Sequence, residues 1–246
     1  MMQNVNDISD TLIIKHLSHA DYEQAHAQML ARTLDRIAEK KAGLPTPDEL
    51  WLVEHNDVYT LGQAGKREHI LNVTNTPIIQ TDRGGQVTWH GTGQLVMYWL
   101  FDLNRLGWSV RDLVSHAEQC VEDVLNAQLK DGLMAHARQD APGVYIYKGV
   151  FDVNHPEKYL MGKIASLGFK IKHGFSYHGL ALNVRCNLTA FDAINPCGYQ
   201  GMRMLNVQDV SKNTDDLNYV SLFDLPLVTA MVENIEKRRM GEIELR

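Results

Sequence analysis

Residues 83–99, Arg-Gly-Gly-Gln-Val-Thr-Trp-His-Gly-Thr-Gly-Gln-Leu-Val-Met-Tyr-Trp, place four glycines within ten positions, between two apolar, β-branched runs. The flanking runs, Pro77-Ile-Ile and Leu95 to Phe101, have the composition and length of buried strands. Gly84-Gly85, Gly91 and Gly93 allow tight turns and leave N–H groups free of side-chain bulk, with Arg83 as the cation and His90 beside a glycine. Such a segment suits the floor of a binding site. It equally suits two glycine-containing turns with an ordinary surface arginine, and taken alone it leaves both readings open.

The remaining pattern sets the fold class. Apolar positions at three- and four-residue steps predict a helix from Asp21, with Tyr22, Ala25, Met29, Thr33, Leu34 and Ile37 on one face and Gly43 after its end. A second helix starts at Ser109, with Asp112 as capping partner, and carries Leu113, Ala117, Cys120, Val121, Val124, Leu125 and Leu129 toward a stop at Gly132. A third runs from about Ser221 to about Arg238, with Pro226 in its first turn or at a kink. Strands are predicted at Ile13–His16, Leu50–His55, Val58–Leu61, Val144–Tyr147, Gly162–Ile171 and Phe175–Val184, the last broken at Gly179. The polar stretch from Lys148 to Met161 reads as an extended hairpin with Asn154–Glu157 at its tip. Helices flanking strands in hairpin relation predict an α/β or α+β fold with a mixed sheet, residues 1–246 forming a single domain.

Composition removes several function classes. A net charge of −6 argues against nucleic-acid binding, which shows as a basic surplus. No apolar run approaches the roughly 18 residues that span a bilayer, so no membrane segment is expected. The N-terminal stretch has no export pattern. Cys120, Cys186 and Cys197 form no CxxC pair and no even framework, which argues against zinc and disulfides and suits a reducing cytoplasm. No histidine pair shows HxxxH or HExxH spacing, so no catalytic metal is expected. His16, His19 and His26 read as surface residues, and His155 as exposed at the hairpin tip.

Two side chains stand out chemically. Cys120 sits on a helix face and reads as a packing residue. Cys197 lies in the turn Asn195-Pro-Cys-Gly198, where Pro196 holds Asn195 extended and Gly198 leaves space beside the sulfur. It is either a nucleophile activated by a cation or a turn cysteine without a role. Lys163 opens an apolar strand, Gly162-Lys-Ile-Ala, where a solvent lysine is out of place. It is either the cation that stabilises a Cys197 thiolate and relays its proton, or a strand-edge lysine that discourages pairing. His90 and His178, each before a glycine, are candidate bases or pocket walls.

Taken together, four segments resemble the lipoyl(octanoyl) transferase family. These are residues 83–98, Gly162-Lys-Ile-Ala-Ser-Leu-Gly168, Phe175-Ser-Tyr-His-Gly-Leu-Ala-Leu-Asn183 and Asn195-Pro-Cys-Gly198, with Trp51 to Gly62 fitting a Thr-Leu-Gly strand end. Order and spacing cover roughly residues 50–205. Thr92 stands where the family has proline, and the 148–161 stretch is longer than the family pattern. The resemblance implies a fold like that of biotin and lipoate protein ligases, with a smaller C-terminal sheet region. It implies octanoyl transfer from octanoyl-acyl carrier protein to a lipoyl-domain lysine, with no ATP, cofactor or metal. The acceptors it implies are lipoyl domains of 2-oxoacid dehydrogenase E2 subunits and the glycine cleavage H protein.

By the same resemblance Cys197 holds the acyl group and Lys163 carries the proton. One side of the acyl tunnel would be Arg83, Gly84, Gly85, Gln86, Val87, Thr88, Trp89 and His90, and the other Ser166, Leu167, Gly168, Gly179, Leu180 and Ala181. Backbone N–H groups near Leu167, Gly168 or Gly179 are candidate oxyanion donors. Because the implied carriers are acidic and this chain is net negative, a local basic rim of Lys170, Lys172, Arg138 and Lys148 is expected at the site mouth. Three rival readings remain: an ATP-dependent lipoate or biotin ligase, a hydrolase pairing Cys197 with His178, and a non-enzymatic acyl-carrier-binding protein.

Overall fold

The computed structural model describes residues 10–72, 74–149, 152, 154–155, 157–214, 217 and 220–246. Its strands are β1 (Leu12–Ala20), β2 (Asp48–His55), β3 (Val58–Leu61), β4 (Ile78–Gln80), β5 (Val87–His90), β6 (Gln94–Leu100), β7 (Leu133–Ala137), β8 (Val144–Lys148), β9 (Leu160–Lys172) and β10 (Phe175–Asn183). The helices are α1 (Tyr22–Lys41), α2 (Leu103–Leu106), α3 (Val110–Asn126), α4 (Val207–Val210) and α5 (Pro226–Arg239). Seven strands form one sheet in the order β1-β2-β6-β10-β9-β8-β7, and β4-β3-β5 form a second. Only β1–β2 and β3–β4 pair in parallel, so the sheets are mixed, as the sequence predicts.

The helix boundaries follow from local chemistry. Asp21 caps α1 by accepting the Gln24 N–H at 2.9 Å. At the other end the Gly43 and Leu44 N–H groups take up the Lys40 and Glu39 carbonyls. Ser109 and Asp112 form a reciprocal capping box on α3. Pro226 opens α5, where its missing N–H costs nothing. Helices α3 and α5 bury Leu113, Cys120, Val121, Val228 and Met231 against one sheet face, around Leu50, Met97, Leu180 and Leu182. Helix α1 covers part of the opposite face, around Met29, Trp51, Val96, Tyr98 and Ala181. Among the described residues no helix is long and apolar enough to cross a membrane.

Several expectations are corrected. The run after Pro77 is a three-residue, half-buried strand, while Val87–His90 inside the glycine-rich stretch is a fully buried one. The smaller sheet is therefore built from residues 58–90 and is not C-terminal. Strand β10 runs unbroken through Gly179, where the missing side chain makes room for the Met97 carbonyl; a Cβ added there would lie 1.8 Å from that oxygen. Helix α3 ends at Asn126, six residues before Gly132, and β7 follows where the pattern predicts no strand. Leu34 is exposed, and Arg36 takes the buried position on α1, donating to the Leu100 carbonyl and to Asp48 Oδ1 at 3.0 Å. The Lys148–Met161 connection joins β8 to β9, but the expected tip at Asn154–Glu157 includes Pro156, outside the described residues.

Candidate active site

Cys197 sits in a single helical turn, Pro196–Gly198, with its own backbone left-handed at φ 57°, ψ 17°. That region costs a side-chain-bearing residue about 1–3 kcal/mol and persists only where the surroundings impose it. Here Asn195 is extended, at φ −93°, ψ 95°, as the following proline demands. Its N–H donates to the His69 carbonyl at 2.8 Å, and its carbonyl accepts the Gly198 N–H at 2.9 Å. The turn is pinned on both sides of the sulfur.

Lys163 is turned to meet it by a β-bulge. Tyr145 pairs with Lys163 but Val144 pairs with Ala165, so Ile164 is an extra residue on β9. Residues directly opposite share a face and neighbours alternate, so Lys163 projects on the same side as Ser166, away from Ala165. Its ammonium lies 3.1 Å from the Cys197 sulfur and donates to the Pro142 carbonyl at 2.8 Å. The side chain is fully buried, and the Tyr145 ring lies 5.1 Å from the nitrogen. Burial by itself would pull the lysine pKa down, but the Cys197 sulfur and Tyr145 outweigh it and hold it above its ordinary value. In the resting site Lys163 is therefore an ammonium beside the Cys197 sulfur.

A cavity of about 360 Å³ opens beside this pair. Its floor is the sheet face on which Ser166, Gly168, Gly179 and Ala181 lie side by side on β9 and β10. Four small residues at adjacent register positions lower the floor by the depth of a side chain. The roof is the 83–88 segment, clamped by Arg83, whose guanidinium donates to Thr60 Oγ1 and to the carbonyls of Thr60, Gly84 and Gln86. Exposed Gly85, Val110, Pro142 and Tyr199 form the rim. Buried Tyr22, His90, Tyr98 and His178 also line the cavity.

Residues 24–221 match the family described as the Lipoyl protein ligase A/B catalytic domain. The chain belongs to that family. It is 54% identical over 275 aligned residues to a protein named Octanoyltransferase from Psychrobacter arcticus, covering 99% of this chain and 96% of the relative. A protein of the same name from Acinetobacter baylyi is 46% identical, with 84% of each chain covered. Among solved structures, a putative lipoate protein ligase from T. acidophilum with bound lipoic acid shares the fold at TM-score 0.59 and 14% identity, covering 96% of this chain and 87% of that one.

Within this ligase A/B domain the predicted lining residues gather round the cavity, except Trp89. Trp89 points the other way and packs edge-on against Phe191, in a cluster with Tyr59 and Leu61. Arg83 spends its donors on main-chain carbonyls and Thr60, so it shapes the roof and is not an open cation site. Gly179 is excluded as an oxyanion donor, since β10 is flanked at that position by both Tyr98 and Gly168 and its N–H belongs to the sheet. The four basic residues do not close into one rim. Lys148 lies at the Leu160 end of β9 and Lys172 at its other end, twelve residues further along the strand, on the order of 40 Å. Arg138 is paired with Asp140 at 2.6 Å.

His178 meets two residues, His26 and Asp82, whose part in the site carries no local sequence signal. His26, expected at the surface, is partly buried and reaches Asp82 Oδ1 at 3.0 Å, stacked on His178. His178 reaches the same oxygen at 2.8 Å, and the Tyr177 hydroxyl donates to Asp82 Oδ2 at 2.5 Å. The three ligand-type atoms of His26, Asp82 and His178 lie within 4.8 Å of one another, a set able to hold a metal ion, and both histidines stand at hydrogen-bond distance from the Asp82 carboxylate. His178 leads the groups that hold the Asp82 carboxyl well below the ordinary carboxylate range, so it stays an anionic acceptor.

Burial pushes His55, His116 and His178 down to about 4, and His90 well below its usual value. Their folded values lie under the unfolded value of about 6.5, so the unfolded chain binds more protons between the two. Stability from these groups is whole above about pH 6.5 and drains as pH falls toward 4. Glu118, pushed up to about 7, opposes them in part, one group against four. Thermal melting between pH 7.5 and pH 5 should therefore show a falling midpoint, and a flat profile would mean these histidines are not buried neutral.

Proposed function

We propose that Cys197 takes the octanoyl group from a carrier thioester and passes it to a lipoyl-domain lysine, with Lys163 moving the proton in both halves. The overall reaction, octanoyl transfer in protein lipoylation by an acyltransferase, follows from membership among proteins named Octanoyltransferase. The residue-level reading rests on one observation above all, the 3.1 Å contact between a buried ammonium and a strained, cavity-facing thiol.

In the first half the Cys197 thiolate attacks the thioester carbonyl. The carbon–sulfur bond to the carrier breaks, and Lys163 gives its proton to the departing thiolate. In the second half the neutral Lys163 amine takes a proton from the incoming lysine, whose nitrogen attacks the Cys197 thioester. The carbon–sulfur bond breaks, the amide forms, and the thiolate and ammonium are restored. Energy comes from the thioester, so the route uses neither ATP nor a metal. For the oxyanion, strand parity favours Leu167. Phe169 turns its carbonyl outward to the Gly84 N–H at 3.1 Å, and Leu167, two residues earlier, shares that outward edge, beyond the last β8 pairing at Ala165.

The donor in this reading is octanoyl-acyl carrier protein. The acceptors are lipoyl domains of 2-oxoacid dehydrogenase E2 subunits and the glycine cleavage H protein, met in the cytoplasm. Residues 1–246 act as one catalytic domain. The cavity, roofed by residues 83–88 and floored by residues 166, 168, 179 and 181, takes the acyl chain. A Cys197–His178 hydrolase is disfavoured because the contact to sulfur comes from Lys163, while His178 is bound to Asp82.

Mass spectrometry after exposure to octanoyl-carrier tests the reading. One octanoyl adduct, labile to hydroxylamine, is expected on the peptide containing Cys197 and should discharge to a lipoyl domain without ATP. Product formed only from free octanoate with ATP and Mg²⁺ would replace the transferase reading with a ligase.

A further inference from the structure

The Lys163 ammonium is seated by more than the sulfur. It also donates to the Pro142 carbonyl, in the 138–143 connection between β7 and β8. Three side chains tether that connection. The Tyr145 hydroxyl donates to the Ala141 carbonyl at 2.9 Å, and the Tyr199 hydroxyl to the Asp140 carbonyl at 3.2 Å. From α3, Glu118 Oε1 accepts the Gly143 N–H at 2.8 Å. Gly143 itself lies against the lysine, since a Cβ there would sit 2.5 Å from Lys163 Cε and 2.7 Å from Nζ. Fixing the Gly143 N–H therefore fixes both the carbonyl that holds the ammonium and the bare Cα beneath it.

We propose that Glu118 is a positioning residue for the Cys197–Lys163 pair, holding the 141–143 strap as the seat of the Lys163 ammonium. The proposal rests on the assignment of that pair to the transfer chemistry. An acid is the natural choice for the task, because an N–H bond to a carboxylate is roughly twice as strong as one to a neutral acceptor. The carboxylate also adds attraction to the buried ammonium through the strap.

The position carries a consequence for pH. Burial, and then Glu122 one turn along α3, push the Glu118 carboxyl up to about 7, against the Gly143 N–H, Lys163 on β9 and His136 on β7. As pH falls through that value the carboxylate protonates, weakening both the hold on Gly143 and the attraction to Lys163. For stability the sign is opposite. A folded value above the unfolded one favours the fold at low pH, and that benefit is lost as pH rises from about 4.5 through 7. Glu118 thus weakens the fold in the range where it serves the site.

The test follows Cys197 alkylation by iodoacetamide, by mass, from pH 5.5 to 9, in the unaltered protein, Glu118→Gln and Glu118→Ala, with melting curves in the same buffers. The unaltered protein should show an inflection near pH 7 that Glu118→Gln lacks. Glu118→Ala should alkylate on the order of tenfold more slowly at pH 8. The melting midpoint of Glu118→Gln should gain on the unaltered protein between pH 5 and pH 8. An inflection retained in Glu118→Gln, or an unchanged alkylation rate in folded Glu118→Ala, overturns the proposal. Alkylation reads the sulfur directly, so absence of an octanoyl adduct on Cys197 would overturn the catalytic assignment without disturbing this measurement.

Discussion

Cys197→Ser lowers octanoyl transfer by at least about a thousandfold and moves the melting midpoint by little; that is the expected result of the smallest change that can be made at this site. The substitution exchanges one atom in a half-buried turn whose backbone is held by Asn195, Pro196 and Gly198, so nothing in the fold depends on sulfur. Chemistry depends on it entirely. A hydroxyl is a far weaker acid than a thiol, and an ammonium 3.1 Å away that can support a thiolate cannot support an alkoxide near neutral pH. Lys163→Met, close in length and apolar, should cost a comparable factor by removing the proton carrier. The double variant should be scarcely worse than either single one, because residues acting as a unit lose their effect together. Initial rates with octanoyl-carrier and a lipoyl-domain acceptor, alongside melting curves, check all three. Transfer within tenfold of the unaltered rate in Cys197→Ser would rule out the covalent route.

What the sequence made legible was local. The cysteine turn could be read because proline and glycine constrain their own neighbours, and helices α1 and α3 because caps and apolar spacing lie within a few residues of one another. The site's supporting structure is non-local and left no such mark. The bulge at Ile164, which turns Lys163 into the cavity, is a property of how β8 pairs with β9. Trp89 was misplaced by one step of strand alternation, where a single residue reverses the face. His26, Asp82 and His178 meet only when α1, the segment before Arg83 and β10 are brought together. Buried Asp48 ties Arg36, Arg105 and Arg239 from α1, α2 and α5, across as many as 191 residues of sequence. In the sequence Pro142-Gly143 is only a turn-type dipeptide ahead of β8.

That dipeptide supplies the second large effect. Gly143→Ala is expected to lower transfer by about two orders of magnitude and the melting midpoint by roughly 2–10 °C. Gly143 has φ +136°, a region closed to residues with a side chain, and a methyl group attached there would meet three atoms at once. Two belong to the Lys163 side chain, at 2.5 and 2.7 Å, and the third is the Ala165 carbonyl oxygen at 2.6 Å. The Ala165 oxygen is part of β9 in the packed sheet and cannot retreat, so the lysine must. Moving its ammonium by even an ångström breaks the contact with Cys197 and the bond to Pro142 together, and misplacement of that size costs about a hundredfold in catalysis. Gly132→Ala separates this from backbone strain alone, for Gly132 also has a positive φ, +76°, but faces open space with nothing within 4 Å. It should lose about 1 kcal/mol of stability and keep its transfer rate. If Gly143→Ala behaved like Gly132→Ala, strained but fully active, the ammonium would not need the seat that Pro142, Gly143 and Glu118 build around it, and Lys163 would owe its position to β9 alone.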